Sequence, residues 1–383
     1  MTELQPEQTQ DVPVRPGADA LAWPPSLQLV GSKALGGAER WFVRFAAALG
    51  EAGARADLGI RRDSELDRLN PQELGGLPLH RLPFLSVWDP WSRLAVTRLI
   101  RRVRPEIVQT YMGRATRLTH LSPKPGRGPV HVSRLGGYYQ LAPYRHANAW
   151  IGNTKGLCDW MVRQGLPAAR VFHIYNFAEP VRPIPTEEIA ALGAELKLPP
   201  DAWVLLAPGR FVPVKGHADL LEALALLPAE IGGCPLRLIL LGDGILRPEL
   251  ERRALHLGIA DRLVWPGWRT DPGPFFRLAD LVVFPSLEEE TLGNVILEAW
   301  AWGRPLVTSL FRGAREIARH GEDAWCVPCG EPRALAEGIR TLLTDPALAA
   351  ALVRRGGDRV SQEFGREPIM GQYRDLYRDL TGS

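Results

Sequence analysis

Leu281-Val282-Val283-Phe284-Pro285-Ser286-Leu287-Glu288-Glu289-Glu290-Thr291-Leu292-Gly293-Asn294-Val295-Ile296-Leu297-Glu298-Ala299 joins an apolar run, a loop with three consecutive glutamates and an apolar segment of helical spacing. Four apolar residues closed by a proline read as a buried strand, and Gly293-Asn294 marks a helix start. The N–H groups of Leu292, Gly293, Asn294 and Val295 then have no partner within the helix and suit a phosphate. Glu290 projects from the loop and Glu298 lies about one turn into the helix. Consecutive glutamates usually mark a solvated loop, but Glu298, inside the apolar run from Val295 to Trp300, belongs at a half-buried place. The two carboxylates suit the hydroxyls of a sugar and of a ribose, on either side of one phosphate.

Outward from this stretch the same strand, loop and helix unit recurs. Upstream lie strands at Trp203 to Ala207, Leu236 to Leu241 and Leu263 to Trp265, and downstream one at Pro305 to Val307, alternating with helical patterns. An earlier series has strands at Leu27 to Val30, Ala56 to Ile60, Ile107 to Tyr111, Val130 to Ser133, Ala149 to Gly152 and Val171 to Tyr175. This alternation predicts an α/β fold of two Rossmann-like parallel-sheet domains facing a cleft. The expected bounds are a flexible tail over 1–25, a first domain over 26–177, a proline-rich linker over 178–200, a second domain over 201–362 and a C-terminal helix over 363–383 that can return to the first domain. Pro180, Pro183, Pro185, Pro199 and Pro200 predict a linker without a continuous helix.

The strand ending at Ala207 runs into Pro208-Gly209-Arg210, and Lys215-Gly216 opens the next helix. Arg210 and Lys215 at a strand end give two fixed cations beside free backbone donors, which suits a diphosphate. Two surface charges would be the plain alternative. Of 46 basic residues only five are lysine, and Lys215 is the sole one after Lys197, so a compact ammonium is the expected requirement there.

The 383 residues carry a net charge of +3, which gives no whole-protein attraction to nucleic acid. No apolar run approaches the roughly 18 residues that span a bilayer, and the first twenty residues do not read as a secretory signal, so a cytoplasmic protein is expected. Six arginines between Arg81 and Arg104, against one acid, Asp89, are interleaved with Phe84, Trp88 and Trp91. That segment reads either as a solvated helix face with its aromatics in the core or as a patch for an anionic membrane surface. Cys326-Val327-Pro328-Cys329 has ligand spacing but lacks the second pair a zinc site needs. No Asp-x-Asp triplet offers a metal-anchored diphosphate site, so the cationic pair is expected to do that work without a metal or other cofactor.

These residues resemble the retaining nucleotide-sugar glycosyltransferases of family 4, with the GT-B architecture, over nearly the whole folded chain. Glu290 through Glu298, followed by Gly303-Arg304-Pro305, resembles the family's two-glutamate signature; Gly209-Arg210 with Lys215-Gly216 resembles its diphosphate pair, and Gly242-Asp243-Gly244 a loop near the nucleotide. Gly36-Gly37-Ala38-Glu39-Arg40 is similar to its glycine loop facing the cleft, which implies that Gly36 and Gly37 contact the donor. The resemblance implies that Arg210 and Lys215 bind the diphosphate, Glu298 the ribose and Glu290 the transferred sugar, with retention of configuration. Members often carry a cleft histidine near the end of the fifth strand; His131 lies inside the strand pattern here, and Arg134 is left as the acceptor-side candidate. A second frequent histidine position reads Tyr111-Met112-Gly113-Arg114. The stretch from Ser133 to Thr154 looks most like members that build lipopolysaccharide core or other bacterial surface glycans. The implied partners are a nucleotide sugar and a glycan or glycolipid acceptor at the inner face of the plasma membrane. A nucleotide-sugar epimerase and a non-catalytic sugar-nucleotide-binding module are the alternatives.

Overall fold

The computed structural model describes residues 22–121 and 128–382. Most of the tail expected over 1–25 therefore lies outside the described residues. Contacts divide the chain into two units, one running up to Asn176 and resuming at Arg366, the other spanning Phe177–Gly365.

The first unit is built on seven parallel strands: β1 (Ser26–Val30), β2 (Ala56–Arg61), β3 (Leu79–Leu82), β4 (Ile107–Tyr111), β5 (Val130–Leu135), β6 (Ala149–Gly152) and β7 (Val171–His173), in spatial order 3-2-1-4-5-6-7. The second has β8 (Trp203–Pro208), β9 (Glu230–Ile231), β10 (Cys234–Leu241), β11 (Leu263–Gly267), β12 (Leu281–Phe284), β13 (Leu306–Ser309) and β14 (Trp325–Val327). Its order is 11-10-8-12-13-14, all parallel, with the short β9 antiparallel beside β10. Strands β1, β4 and β12 are buried along their whole length. Helices on both faces of a parallel sheet require this, and it explains why β12 reads as an unbroken apolar run, while the buried Gln28, Gln109 and Thr110 of β1 and β4 are met by hydrogen bonds. Both sheets are doubly wound, and the strand order reverses between β1 and β4 and between β8 and β12. Such folds bind ligands outside the strands' carboxyl ends at these two points.

Two local expectations need correction, and the return of the C-terminal helix agrees with its expectation. β3, Leu-His-Arg-Leu, was not expected as a strand; it is a four-residue edge strand with one buried residue, so it carries no apolar run. The stretch expected as a linker holds a helix, Thr186–Glu195, which packs on the helix Gly273–Leu278. Pro185 precedes its first turn and Pro199 follows its end, positions where proline bounds a helix without breaking it. The C-terminal helix Arg366–Thr381 belongs to the first unit, where its buried Tyr373 and Tyr377 are bound by Arg134 and Gln28. Among the described residues no helix is long and apolar enough to cross a membrane.

Candidate functional site

In the second unit the loops after β8 and β12 meet. Gly216 has φ +64°, and a Cβ there would lie 2.0 Å from the carbonyl oxygen of Pro285, so only glycine permits this approach. The Leu287 N–H donates to the Val214 carbonyl at 2.8 Å and locks the two loops together. Lys215 closes a single 3₁₀ turn, Pro213–Lys215, and its Nζ lies 2.7 Å from Glu290 Oε2. The side chains are only 18% and 16% exposed, so water screens this pair far less than a surface bridge. The ammonium also sits 4.9 Å from the centre of the Phe284 ring. The sequence places Lys215 and Glu290 at one site; the structure adds that they are directly paired.

The loop after β10 joins the same cluster. Gly209 donates its N–H to the Leu241 carbonyl at 3.0 Å and Phe211 to the Asp243 carbonyl at 2.9 Å, with Gly242 packed against Gly209. Arg210, between them, is exposed, and its side chain has no hydrogen-bond or ion partner among the described residues. Leu292 is buried, and Gly293, with φ +77° and a phenyl carbon of Phe311 2.5 Å from any Cβ, opens the helix Asn294–Ala301. That helix has no acidic residue in its first turn, and Glu298 is half-buried one turn in. Gly209, Arg210, Lys215, Gly242, Glu290, Leu292, Gly293, Asn294 and Glu298 thus all lie on the loops and helix start after β8, β10 and β12.

The three glutamates have three environments. Hydrogen bonds from Arg315, with Arg312 nearby, hold the Glu288 carboxyl below its usual range; Glu289 is exposed; Glu290 holds Lys215. The solvated-loop reading fits Glu289 alone. One residue of this cluster escaped the sequence analysis: His217, buried at the start of the helix His217–Leu226 with its ring 4.9 Å from Phe211. Burial, aided by Lys215, pushes it down to about 3, so it is neutral at pH 7. A histidine directly after the Lys-Gly pair was the available signal.

In the first unit, Gly36 caps the helix Gly37–Glu51, and its N–H donates to the buried Glu39 carboxylate at 2.8 Å. The helix start that holds Gly36 and Gly37 is therefore served by its own acid. Arg114 turns back, donating to the carbonyls of Gly31 at 3.1 Å and Phe84 at 3.4 Å. The expected acceptor-side role of Arg134 finds no support in its geometry. Arg134 is 3% exposed, donates to Tyr373 Oη at 2.9 Å and to Asn176, and lies 4.6 Å from the Trp41 ring centre. A buried guanidinium needs such partners, and these anchor the C-terminal helix. His131 is buried within β5, bonded to Thr110 Oγ1 at 2.9 Å. Cys326 and Cys329 follow one another at the end of β14, both thiols pushed up by burial, Cys326 to about 12, and His320 Nδ1 accepts the Cys326 N–H.

Residues 202–345, the sheet bearing this cluster, match the glycosyl transferases group 1 family. The chain is 33% identical over 349 residues to the lipopolysaccharide core biosynthesis glycosyltransferase LpsE of Rhizobium meliloti, covering 89% of this chain and 95% of that protein. It is 32% identical over 345 residues to LpsD of the same organism, with the same coverage. In structure it is similar to Anabaena HepE, solved in complex with UDP and glucose, with a TM-score of 0.78, 23% identity and coverage of 93% of this chain and 100% of that one. Two doubly wound sheets of the GT-B kind, a cationic and acidic cluster at the second switch point and near full-length relatives agree: the chain belongs to the glycosyl transferases group 1 family and is a glycosyltransferase.

Proposed function

We propose that the protein transfers a sugar from a nucleoside diphosphate to a hydroxyl of a lipopolysaccharide core or related surface glycan precursor, with retention and without a metal. The observation that carries this reading is the Lys215–Glu290 pair at the β8/β12 switch point, with the unpartnered Arg210 on the same loop. A diphosphate draws on Arg210, Lys215 and the N–H groups before Asn294. Charge grows on the leaving diphosphate as the anomeric bond breaks, so these donors act most strongly when the barrier is highest. A phosphate oxygen that shares the Lys215 ammonium releases the Glu290 carboxylate to accept hydrogen bonds from sugar hydroxyls. Glu298 takes the ribose hydroxyls. The names of LpsE and LpsD support a lipopolysaccharide acceptor. A glycolipid acceptor requires work at a membrane surface, and Leu85, Trp88 and Trp91, exposed among the Arg81 to Arg104 arginines, support contact with an anionic inner leaflet.

Substitutions of the two glutamates, assayed in EDTA, test the assignment. Glu290→Gln leaves nucleoside diphosphate affinity equal or tighter, because Lys215 loses its competing carboxylate, and lowers the transfer rate. Glu298→Gln weakens nucleoside diphosphate and sugar nucleotide alike, by about tenfold. Equal losses of nucleoside diphosphate affinity in both variants would reject the division of roles. Activity lost in EDTA and restored by Mg²⁺ would reject the metal-free reading.

A further inference from the structure

On the outer side of the edge strand β3, the first unit has a pocket of about 420 Å³ between that strand and the helix Pro90–Val103. His80, Arg81, Arg98 and Arg102 line it with the apolar Leu79, Leu82, Ala95 and Leu99. Its three guanidiniums are not equivalent. Arg81 Nε donates to Asp67 at 2.6 Å, so its charge is met. Arg102 Nη2 lies 2.9 Å from His80 Nδ1, and His80 Nε2 lies 2.6 Å from Asp57 Oδ1. Arginine has no acceptor, so Nδ1 must accept and Nε2 must carry the proton that goes to Asp57. Asp57 thus fixes the tautomer, and the neutral ring holds one prong of Arg102 without cancelling its charge. Arg98 has no hydrogen-bond or ion partner among the described residues. Two guanidiniums in one pocket, neither facing a carboxylate, with one of them pre-oriented, suit a phosphate.

The surface beside the pocket names the source of that phosphate. Trp91, Ala95, Arg98 and Arg102 share one helix face, because their spacings follow the helical repeat. Asp89 caps the helix by accepting from the N–H groups of Trp91 and Ser92, each at 3.1 Å, which fixes the preceding loop. That loop and the first turn leave Trp88 80%, Trp91 71% and Leu85 64% exposed. At 1.5 Å per residue Arg98 stands about 10 Å along the helix from Trp91. An apolar tip with guanidiniums about two and three turns behind it matches the order of a bilayer's interface, acyl boundary first and phosphates above.

We propose that the pocket formed by His80, Arg98 and Arg102 is a head-group subsite that takes the phosphate of an anionic phospholipid while Leu85, Trp88 and Trp91 enter the interface. This rests on the membrane reading given above and adds a specific phosphate contact to it. The test is flotation of the full chain with phosphatidylglycerol/phosphatidylcholine vesicles at low salt, with unchanged thermal midpoints as the check of fold. Arg98→Lys with Arg102→Lys keeps the charge and removes the fork, and vesicle affinity is expected to fall about tenfold. Arg354→Gln with Arg355→Gln, exposed on the helix Pro346–Glu363 of the second unit, removes two charges elsewhere and is expected to change nothing. Asp57→Asn, which frees the His80 tautomer, is expected to weaken binding by a smaller factor. If the double lysine variant binds like the wild type, diffuse charge explains the attraction: the subsite is overturned and the membrane reading survives. If the wild type itself does not float, the membrane reading falls and the lipid source falls with it. Shifts of the Arg98 and Arg102 side-chain NMR signals by inorganic phosphate would in that case assign the pocket to a soluble phosphate, against the proposal.

Discussion

The two sheets follow the same winding, yet their switch points are chemically opposite. Between β8 and β12 the loops present Lys215 against Glu290, an exposed Arg210 and a helix start without an acid in its first turn. Between β1 and β4 the helix start is bound by Glu39, and Arg114 is folded onto the carbonyls of Gly31 and Phe84. The topology offers an anion site twice, and the loops accept the offer once. Where a unit's cation and helix start are satisfied internally they hold the fold; the proposed donor role falls to the unit whose Arg210 side chain has no such partner among the described residues.

The largest effect should come from breaking the open site. Lys215→Ala removes the cation proposed to hold the leaving diphosphate and leaves Glu290 mostly buried without its partner. Loss of one such electrostatic group lowers turnover by about 10² to 10³. Arg114→Ala in the first unit should lower the unfolding midpoint while leaving donor affinity intact, since its bonds go to backbone carbonyls. Steady-state kinetics and isothermal titration with the nucleoside diphosphate separate the two. A drop in donor affinity for Arg114→Ala, or none for Lys215→Ala, would erase the contrast.

A smaller effect tests how the open site is built. Gly216→Ala places a Cβ 2.0 Å from the Pro285 carbonyl oxygen at a left-handed φ, so the loops after β8 and β12 must part. The left-handed strain alone costs about 1 to 2 kcal/mol, and the separation moves Lys215 from Glu290. Donor affinity and thermal midpoint should fall together. Gly37→Ala has no atom within 4 Å of the added methyl and should change neither.

The second sheet and its site were legible because function and burial there use the same residues. Parallel strands covered on both faces are mostly apolar, so Leu281 to Phe284 showed itself, and the loop that follows, apart from Leu287 and the buried Leu292, is polar, glycine or proline. The pairing of Lys215 with Glu290 was not legible, because it depends on a loop contact through Gly216 and Pro285 across some seventy residues of sequence. β3 was hidden for the opposite reason: an edge strand half open to solvent need not be apolar, and so the relay from Asp57 through His80 to Arg102 had no sequence signature. The return of the last helix to the first unit was anticipated, but Arg134 still looked available because no sequence pattern shows which side chains Tyr373 and that helix bury.

The smallest expected effect concerns a feature the two units share. His131 in the first and His217 in the second are buried and held down to about 3, chiefly by desolvation, with His146 adding to the first and Lys215 to the second. In the unfolded chain each returns to about 6.5. The unfolded state therefore takes up more protons once pH falls below that value, and by linkage stability declines there. The contribution is complete above about pH 6.5 and is lost progressively as pH falls toward about 3. Between pH 7.5 and 5.5 each histidine accounts for about 1.4 kcal/mol. Urea unfolding at the two pH values measures the difference, and His131→Asn and His217→Asn each remove one share of it. Because neither ring faces a carboxylate that would hold its charged form, the two shares should be equal and additive although one unit's switch point is open and the other's closed. A pH dependence unchanged in the double variant would mean that these rings take up protons over the same range in the folded and the unfolded protein, and the downward shift of His217 beside Lys215 would have to be given up.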